Sequence, residues 1–209
     1  MAESHNGLFV TIEGVEGSGK STLAEALAAR LRASGSEVLV TAEPGGDPVA
    51  ERIRTLLLDP THAISDRAEL LLFEAARAQH VSKVILPALR SGGVVVCDRF
   101  ADSSLAYQGL ARGIGLEVVE SINEFATEGL KPDLTILLDL PVEEGLGRTQ
   151  SKDRMTSEGI EFHNAVRKGY LALAAREPDR FVVIDARKPI GEVVRLAAQA
   201  AEARRAKGR

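Results

Sequence analysis

The sequence predicts an α/β fold in which five parallel strands are covered by helices on both faces, and three observations predict it. Five short apolar runs alternate with stretches of helical periodicity: Leu8-Phe9-Val10-Thr11-Ile12, Val38-Leu39-Val40, Val94-Val95-Val96-Cys97, Leu134-Thr135-Ile136-Leu137-Leu138 and Phe181-Val182-Val183-Ile184. The runs are apolar almost throughout rather than alternating, as strands buried on both faces are. The first run leads through Gly14-Val15-Glu16-Gly17-Ser18-Gly19-Lys20-Ser21, a G-x-x-x-x-G-K-S loop, into a helical pattern.

The elements follow in order. The helix after the loop starts near Gly19, carries Leu23, Leu27 and Leu31 on one face and stops at Gly35. The second strand, within residues 37–41, runs into the loop signal Glu43-Pro44-Gly45-Gly46. Asp47 is placed to cap a helix with Pro48 in its first turn and a stripe of Val49, Ile53, Leu56 and Leu57; Asp59-Pro60 ends it. Asp66 is placed to cap a long helix over residues 66–90, kinked at Pro87. Gly92-Gly93 turns into the third strand, which ends at Asp98-Arg99-Phe100. Residues 103–108 read as helical, Gly109, Gly113 and Gly115 as breaks, and residues 116–128 as the next helix. After the fourth strand a helix spans 142–148, residues 149–157 are polar and irregular, and 158–176 are helical. The fifth strand ends at Asp185, and a last helix covers 192 to about 205.

The chain has 209 residues, 44% hydrophobic and 27% charged, which suits one soluble α/β domain with a small lid. A formal net charge of -4 argues against a general nucleic-acid binder. Residues 1–7 lack the apolar core of a signal peptide, and no apolar stretch is long enough to span a bilayer. The single cysteine, Cys97, permits no internal disulfide and reads as a buried small hydrophobe. The expectation is a cytoplasmic protein with no membrane and no nucleic-acid partner. Arg204, Arg205, Lys207 and Arg209 fit a solvated helix end, where cations suit the dipole.

In parallel sheets ligands gather beyond the carboxyl ends of the strands. That rule brings residues 14–21, Glu43-Pro44, Asp98-Arg99, the segment after Asp139 and Asp185-Ala186-Arg187 to one crevice. The loop glycines let backbone N–H groups turn toward a phosphate, and the helix N-terminus adds its positive dipole end. Residues Gly14, Val15, Glu16, Gly17, Ser18, Gly19, Lys20 and Ser21 are therefore the expected nucleotide cradle. Lys20 is placed for the β- and γ-phosphates and the Ser21 hydroxyl for Mg2+. Asp98 ends an apolar strand, where a carboxylate holds Mg2+ directly or through water, and Arg99 can fork onto a phosphate. A plain ion pair at a strand end is the competing reading for both.

Together these stretches resemble the thymidylate kinase family, bacterial type, among the P-loop nucleoside monophosphate kinases. The resemblance covers nearly the whole chain. It rests on Ile12-Glu13-Gly14-Val15-Glu16 before the loop, Glu43-Pro44-Gly45-Gly46, Leu72-Phe73 with Arg77 and Gln79-His80, and Asp98-Arg99-Phe100 with Ser103 and Ala106-Tyr107-Gln108-Gly109. Lys131-Pro132-Asp133-Leu134-Thr135, Asp153-Arg154 and Tyr170-Leu171 also match. It implies a P-loop NTPase fold as a single domain over residues 1–209, a short lid about 148–157, a homodimer, and Mg2+-dependent transfer of phosphoryl from ATP to dTMP. It implies that Phe73 stacks on thymine, that Arg77 hydrogen-bonds the base, and that Arg99, with Arg54, grips the dTMP phosphate. By the same resemblance Glu16 meets the deoxyribose 3′-OH, Tyr107 stands near C2′ and excludes ribonucleotides, and Ser103 and Gln108 help fix the base. Glu43 and Pro44 complete the dTMP set, and Arg187 lies near the adenine of ATP. Phe73 as ordinary core and Tyr107 as a half-buried core tyrosine remain open readings.

The chain departs from the family in three places. Ala42 stands where bacterial relatives usually carry Arg, the lid is short, and Gly17 occupies a loop position where some relatives place a catalytic Arg. The missing charge is then expected from Arg148 and Arg154, with Lys152 between them, so that Lys20, Arg99, Arg148 and Arg154 form the catalytic set. Ion pairing of those lid arginines with Asp153 or Glu158 competes with that role. Two rivals stay open: a kinase of another nucleoside monophosphate, and a phosphate-loop protein without catalysis. A GTP switch needs N-K-x-D, and none of Asn6, Asn123 or Asn164 is followed by Lys.

Overall fold

The computed structural model describes residues 5–149 and 153–207, without the side chain of Lys207. Residues 1–4, the lid residues Gln150, Ser151 and Lys152, and Gly208 and Arg209 of the basic tail lie outside the described residues. Five parallel strands form one sheet in the order β2-β3-β1-β4-β5: β1 (Leu8–Gly14), β2 (Val38–Ala42), β3 (Val94–Asp98), β4 (Leu134–Asp139) and β5 (Phe181–Asp185). β1 is central, and all seven of its residues are buried. The register aligns the strand ends that matter: Ile12 and Ala42 both lie opposite Asp98, Gly14 opposite Leu138, and Asp139 opposite Asp185.

Helices cover both faces, as continuous apolar strands require. On one face α1 (Lys20–Ala33) and α9 (Ile190–Lys207) pack Leu23, Leu27, Ala197 and Ala201 against Val10, Val96 and Ile136. On the other, Phe9, Val95 and Cys97 meet Val81, Ile85, Leu89 and Phe100, while Leu137 meets Tyr170 and Leu173 of α8 (Ile160–Arg176). α2 (Pro48–Leu58) starts as expected: Asp47 is extended and accepts a hydrogen bond from the Val49 N–H at 2.8 Å, with Pro48 in the first turn.

The structure corrects several expectations. Ser65, not Asp66, is the N-cap of α3 (Asp66–His80). The long helix is not one kinked rod, because the chain widens into a π-helical turn at Val81–Ile85 before α4 (Leu86–Arg90). Pro87 has no N–H to give and its ring needs room, and a wider turn just before it supplies that room. Residues 103–108 are likewise not one α-helix: α5 (Ala101–Ser104) passes into a π-helical segment, Leu105–Ala111. Gly109 lies inside that segment rather than breaking it, packed under Leu116 and Val119 of α6 (Leu116–Ala126). α6 stops two residues early, and α8 begins after Gly159, which frees Glu158 to pair with Arg112. α7 (Val142–Arg148) has the expected bounds, and α9 starts at Ile190, directly after Pro189.

Candidate active site

The crevice is built from the loop outward. β1 delivers the chain into Gly14, Gly17 and Gly19, all with positive φ (148°, 69° and 91°), and Gly19 is the N-cap of α1. Lys20 is buried and its ammonium donates to the Val15 carbonyl at 2.9 Å. Burial and then Arg99 lower its pKa to about 8, against the pull of Glu16, Asp98 and Glu13. The next side chain, Ser21, donates its hydroxyl to Asp98 Oδ2 at 2.5 Å. The other Asp98 oxygen is buried and has no hydrogen-bond partner. A hydroxyl and a carboxylate with a spare oxygen, beside a phosphate loop, form a donor set of hard oxygens that fits Mg2+. Among the described residues no cluster of three or more His, Cys, Asp or Glu side chains stands ready for a metal.

Arg99 follows Asp98 with φ 69°. Its guanidinium pairs with Glu16, donates to the Gly14 carbonyl at 3.2 Å and lies 5.2 Å from the centre of the Tyr107 ring. The Tyr107 hydroxyl donates to the same Glu16 oxygen at 3.2 Å. Burial alone would raise the Glu16 carboxyl, but Arg99, Lys20 and Tyr107 bring it down to about 2, so it is anionic at neutral pH.

These groups open onto a cavity of about 520 Å³, a size that suits a nucleotide-like ligand. Its walls bring together Glu16, Gly17, Gly19, Lys20 and Ser21 of the loop, Glu43 and Pro44 after β2, and Arg54 of α2. Phe73 and Arg77 of α3 and the run Asp98, Arg99, Ser103, Tyr107 and Gln108 complete them, with Arg148 at the end of α7. Arg54 donates to the Pro44 carbonyl at 2.7 Å. Arg77 is deeply buried and held from several sides. It pairs with Glu74 and donates to Glu43 at 2.8 Å, Asn123 at 2.7 Å, Ser104 at 2.9 Å and the Phe100 carbonyl at 3.1 Å. Against burial, Glu74 and Glu43 keep its pKa above the ordinary guanidinium value. Glu43 in turn accepts from His80 Nδ1 at 3.0 Å, which locks the loop after β2 to α3.

Not every expected residue reaches the cavity. Arg154 is only 12% exposed; it pairs with Glu69 at 2.5 Å and donates to the Leu57 carbonyl at 2.8 Å, and it does not line the cavity, although its neighbours Asp153 and Met155 do. Arg187 pairs with Asp185 on the surface at 2.9 Å. Gly14, Val15 and Ser18 lie behind the wall, where they shape the loop. Arg148 is half exposed beside Glu144 at 3.6 Å. Sequence reasoning missed the buried acids behind the wall. Glu69 gathers Gln108, Arg112 and Arg154; Glu13 gathers Phe100, Ser103 and Tyr170. The signal for Glu13 was present as a lone acid closing an apolar strand.

Known proteins resemble this chain over most of its length. The family model described as thymidylate kinase matches residues 12–197. A thymidylate kinase of Desulfovibrio desulfuricans is 51% identical over 207 residues, covering 94% of this chain and 95% of its own. One from Pseudomonas fluorescens is 52% identical over 191 residues, with 90% and 91% covered. A crystal structure of thymidylate kinase from Ehrlichia chaffeensis superposes with a TM-score of 0.80 at 32% identity, over 93% of this chain and 98% of that one.

Proposed function

The chain belongs to the thymidylate kinase family, and on that premise it phosphorylates dTMP with ATP; we propose how its residues share that work. A phosphate oxygen of dTMP attacks the γ-phosphorus of ATP in line. It is already anionic at neutral pH, so positioning and charge neutralisation suffice and no general base is needed. The loop N–H groups and the start of α1 take the ATP phosphates, and Lys20 turns from the Val15 carbonyl to the β- and γ-oxygens. Ser21 and Asp98 would hold Mg2+, which supplies charge for the phosphate oxygens. Arg99 and Arg54 grip the acceptor phosphate, and Glu16, released from Arg99, accepts the sugar 3′-OH. Phe73 stacks on the base and Arg77, held flat by its buried partners, donates to it. Ser103 and Gln108 fix the base edge, Glu43 and Pro44 close the wall, and Tyr107 leaves no room for a 2′-OH. Arg148 rather than Arg154 supplies the lid charge, because Arg148 is on the wall and Arg154 is tied to Glu69. Arg187 faces the adenine end.

The carrying observation is the contact of Ser21 with Asp98 beside Lys20 and Arg99, in the same cavity as Phe73 and Arg77. We read the whole chain as one kinase domain that pairs into a homodimer. Exposed Leu71 on α3 and exposed Val118 and Phe125 on α6, neighbouring helices, support that pairing. A cytoplasmic location agrees with the absence, among the described residues, of any helix long and apolar enough to cross a membrane. The test is coupled ADP release with ATP, Mg2+ and dTMP. Lys20→Ala is expected to fold and to lose about 10²-fold or more in kcat; near wild-type release would remove the phosphate-loop assignment.

A further inference from the structure

Glu13 immediately precedes the phosphate loop, is fully buried, and takes no part in the steps above. Its carboxylate reaches Arg99 in two ways. Arg99 and Glu128 are the two non-glycine residues with positive φ among the described residues. A side chain disfavours that conformation, so neighbouring groups must hold it. The peptide after Arg99 is held at both ends: its carbonyl accepts from the Cys97 thiol at 3.0 Å, and its N–H, that of Phe100, donates to Glu13 Oε1 at 2.8 Å. The Arg99 N–H donates to the Ile12 carbonyl, next to Glu13, at 2.9 Å. Glu13 Oε2 accepts from the Ser103 hydroxyl at 2.7 Å and the Tyr170 hydroxyl at 2.9 Å. The two hydroxyls lie 2.8 Å apart, within hydrogen-bond distance of each other, and both accept from Arg99 Nη1, which donates to Tyr170 at 3.3 Å and to Ser103 at 3.4 Å.

We infer that Glu13 is a positioning residue, whose carboxylate fixes both the main chain and, through two hydroxyls, the guanidinium of Arg99 at the angle that meets the acceptor phosphate. The inference rests on the reading of Arg99 as the group that grips that phosphate. The two carboxyl oxygens divide the role: Oε1 holds the main chain after Arg99 and Oε2 holds the two hydroxyls.

The test is calorimetric binding of dTMP, without ATP, to the full chain as wild type, Glu13→Gln, Arg99→Ala and the double variant. Glutamine keeps the volume but offers one acceptor oxygen to three donors. Glu13→Gln is expected to weaken dTMP by about tenfold or more and to shift ATP affinity less. In the Arg99→Ala background it should have no further effect, because it acts through Arg99. Unchanged dTMP affinity in Glu13→Gln, or an equal loss in both backgrounds, overturns the inference. If Arg99→Ala itself binds dTMP like wild type, the reading of Arg99 falls and this inference falls with it, an outcome distinct from the other two. Should Glu13→Gln fail to fold, Tyr170→Phe removes one hydroxyl link with little change of shape. It is expected to weaken dTMP several-fold, again only when Arg99 is present, and wild-type affinity there overturns the inference.

Discussion

A Cβ built on Gly17 would lie 2.0 Å from the Gly145 carbonyl oxygen, and one on Gly145 would lie 2.3 Å from that of Glu16. The phosphate loop thus rests on α7 through two glycines with no space for a side chain, and Gly17 also has φ 69°. Gly17→Arg would bring a cation to the loop, yet α7 would have to move away to admit it. We expect kcat to fall by at least about tenfold, since small misplacements cost rate steeply; a raised kcat in the same steady-state assay would contradict the packing argument. The carboxylates of Glu16, in the loop, and Glu13, just before it, also divide by pH. Glu16, lowered to about 2, contributes stability that is present above the ordinary value of 4.5 and lost as pH falls through about 2. Glu13 has the opposite sign. Burial and then Asp102 raise it to about 7 against Ser103, Arg99 and Tyr170, so its contribution is complete below 4.5 and is lost as pH rises through about 7. The melting temperature of Glu13→Gln relative to wild type should therefore move in the variant's favour between about pH 5 and about pH 8. A constant difference across that range would count against the raised carboxyl.

At the scale of elements, α7 and the turn after it divide the lid arginines into two jobs. Arg148 ends α7 on the cavity wall, whereas Arg154 joins its segment to α2 and α3 through the Leu57 carbonyl and buried Glu69. Arg148→Ala is expected to lower kcat by about 10³-fold or more, by analogy with arginine fingers, with little change in the dTMP KM. Arg154→Ala should instead lower the melting temperature, because Glu69 would keep a buried charge with one partner fewer. The reverse pattern, a kcat loss confined to Arg154→Ala, would move the catalytic charge to the other side of the lid. The π-helical segments belong to this scale as well. Leu105–Ala111 carries Tyr107 and Gln108 to the cavity, and an α-helical turn there would rotate one of them off the wall.

Across the whole molecule, the five strands, the loop and the crevice at their ends were legible from the sequence because their signals are local. Each strand is one apolar run, and Asp98 and Asp185 mark strand ends by being charged. The Asp47 cap was readable for the same reason. What was not legible depends on residues far apart. The partners of Glu13 include Tyr170, 157 positions away, and Glu69 meets Arg154, 85 positions away. Periodicity cannot show that an acid on a helix will be buried by an arginine from elsewhere, so Arg154 was weighed between a lid role and a pair with nearby Asp153 or Glu158, and its actual partner Glu69 was not foreseen. The π-helical turns were hidden too, because the extra residue per turn answers to packing rather than to propensity. The fold brings one set of strand ends to one cavity, and the central claim is that this cavity accepts ATP and, beside it, thymine on a deoxyribose monophosphate. The most direct measurement is kcat/KM for dTMP, dUMP, dCMP, dAMP and dGMP with ATP and Mg2+. The account predicts dTMP highest, dUMP lower by roughly 10–200-fold for the missing methyl, and the other three lower still because a buried polar group is left unpaired; equal kcat/KM for dTMP and dCMP would contradict it.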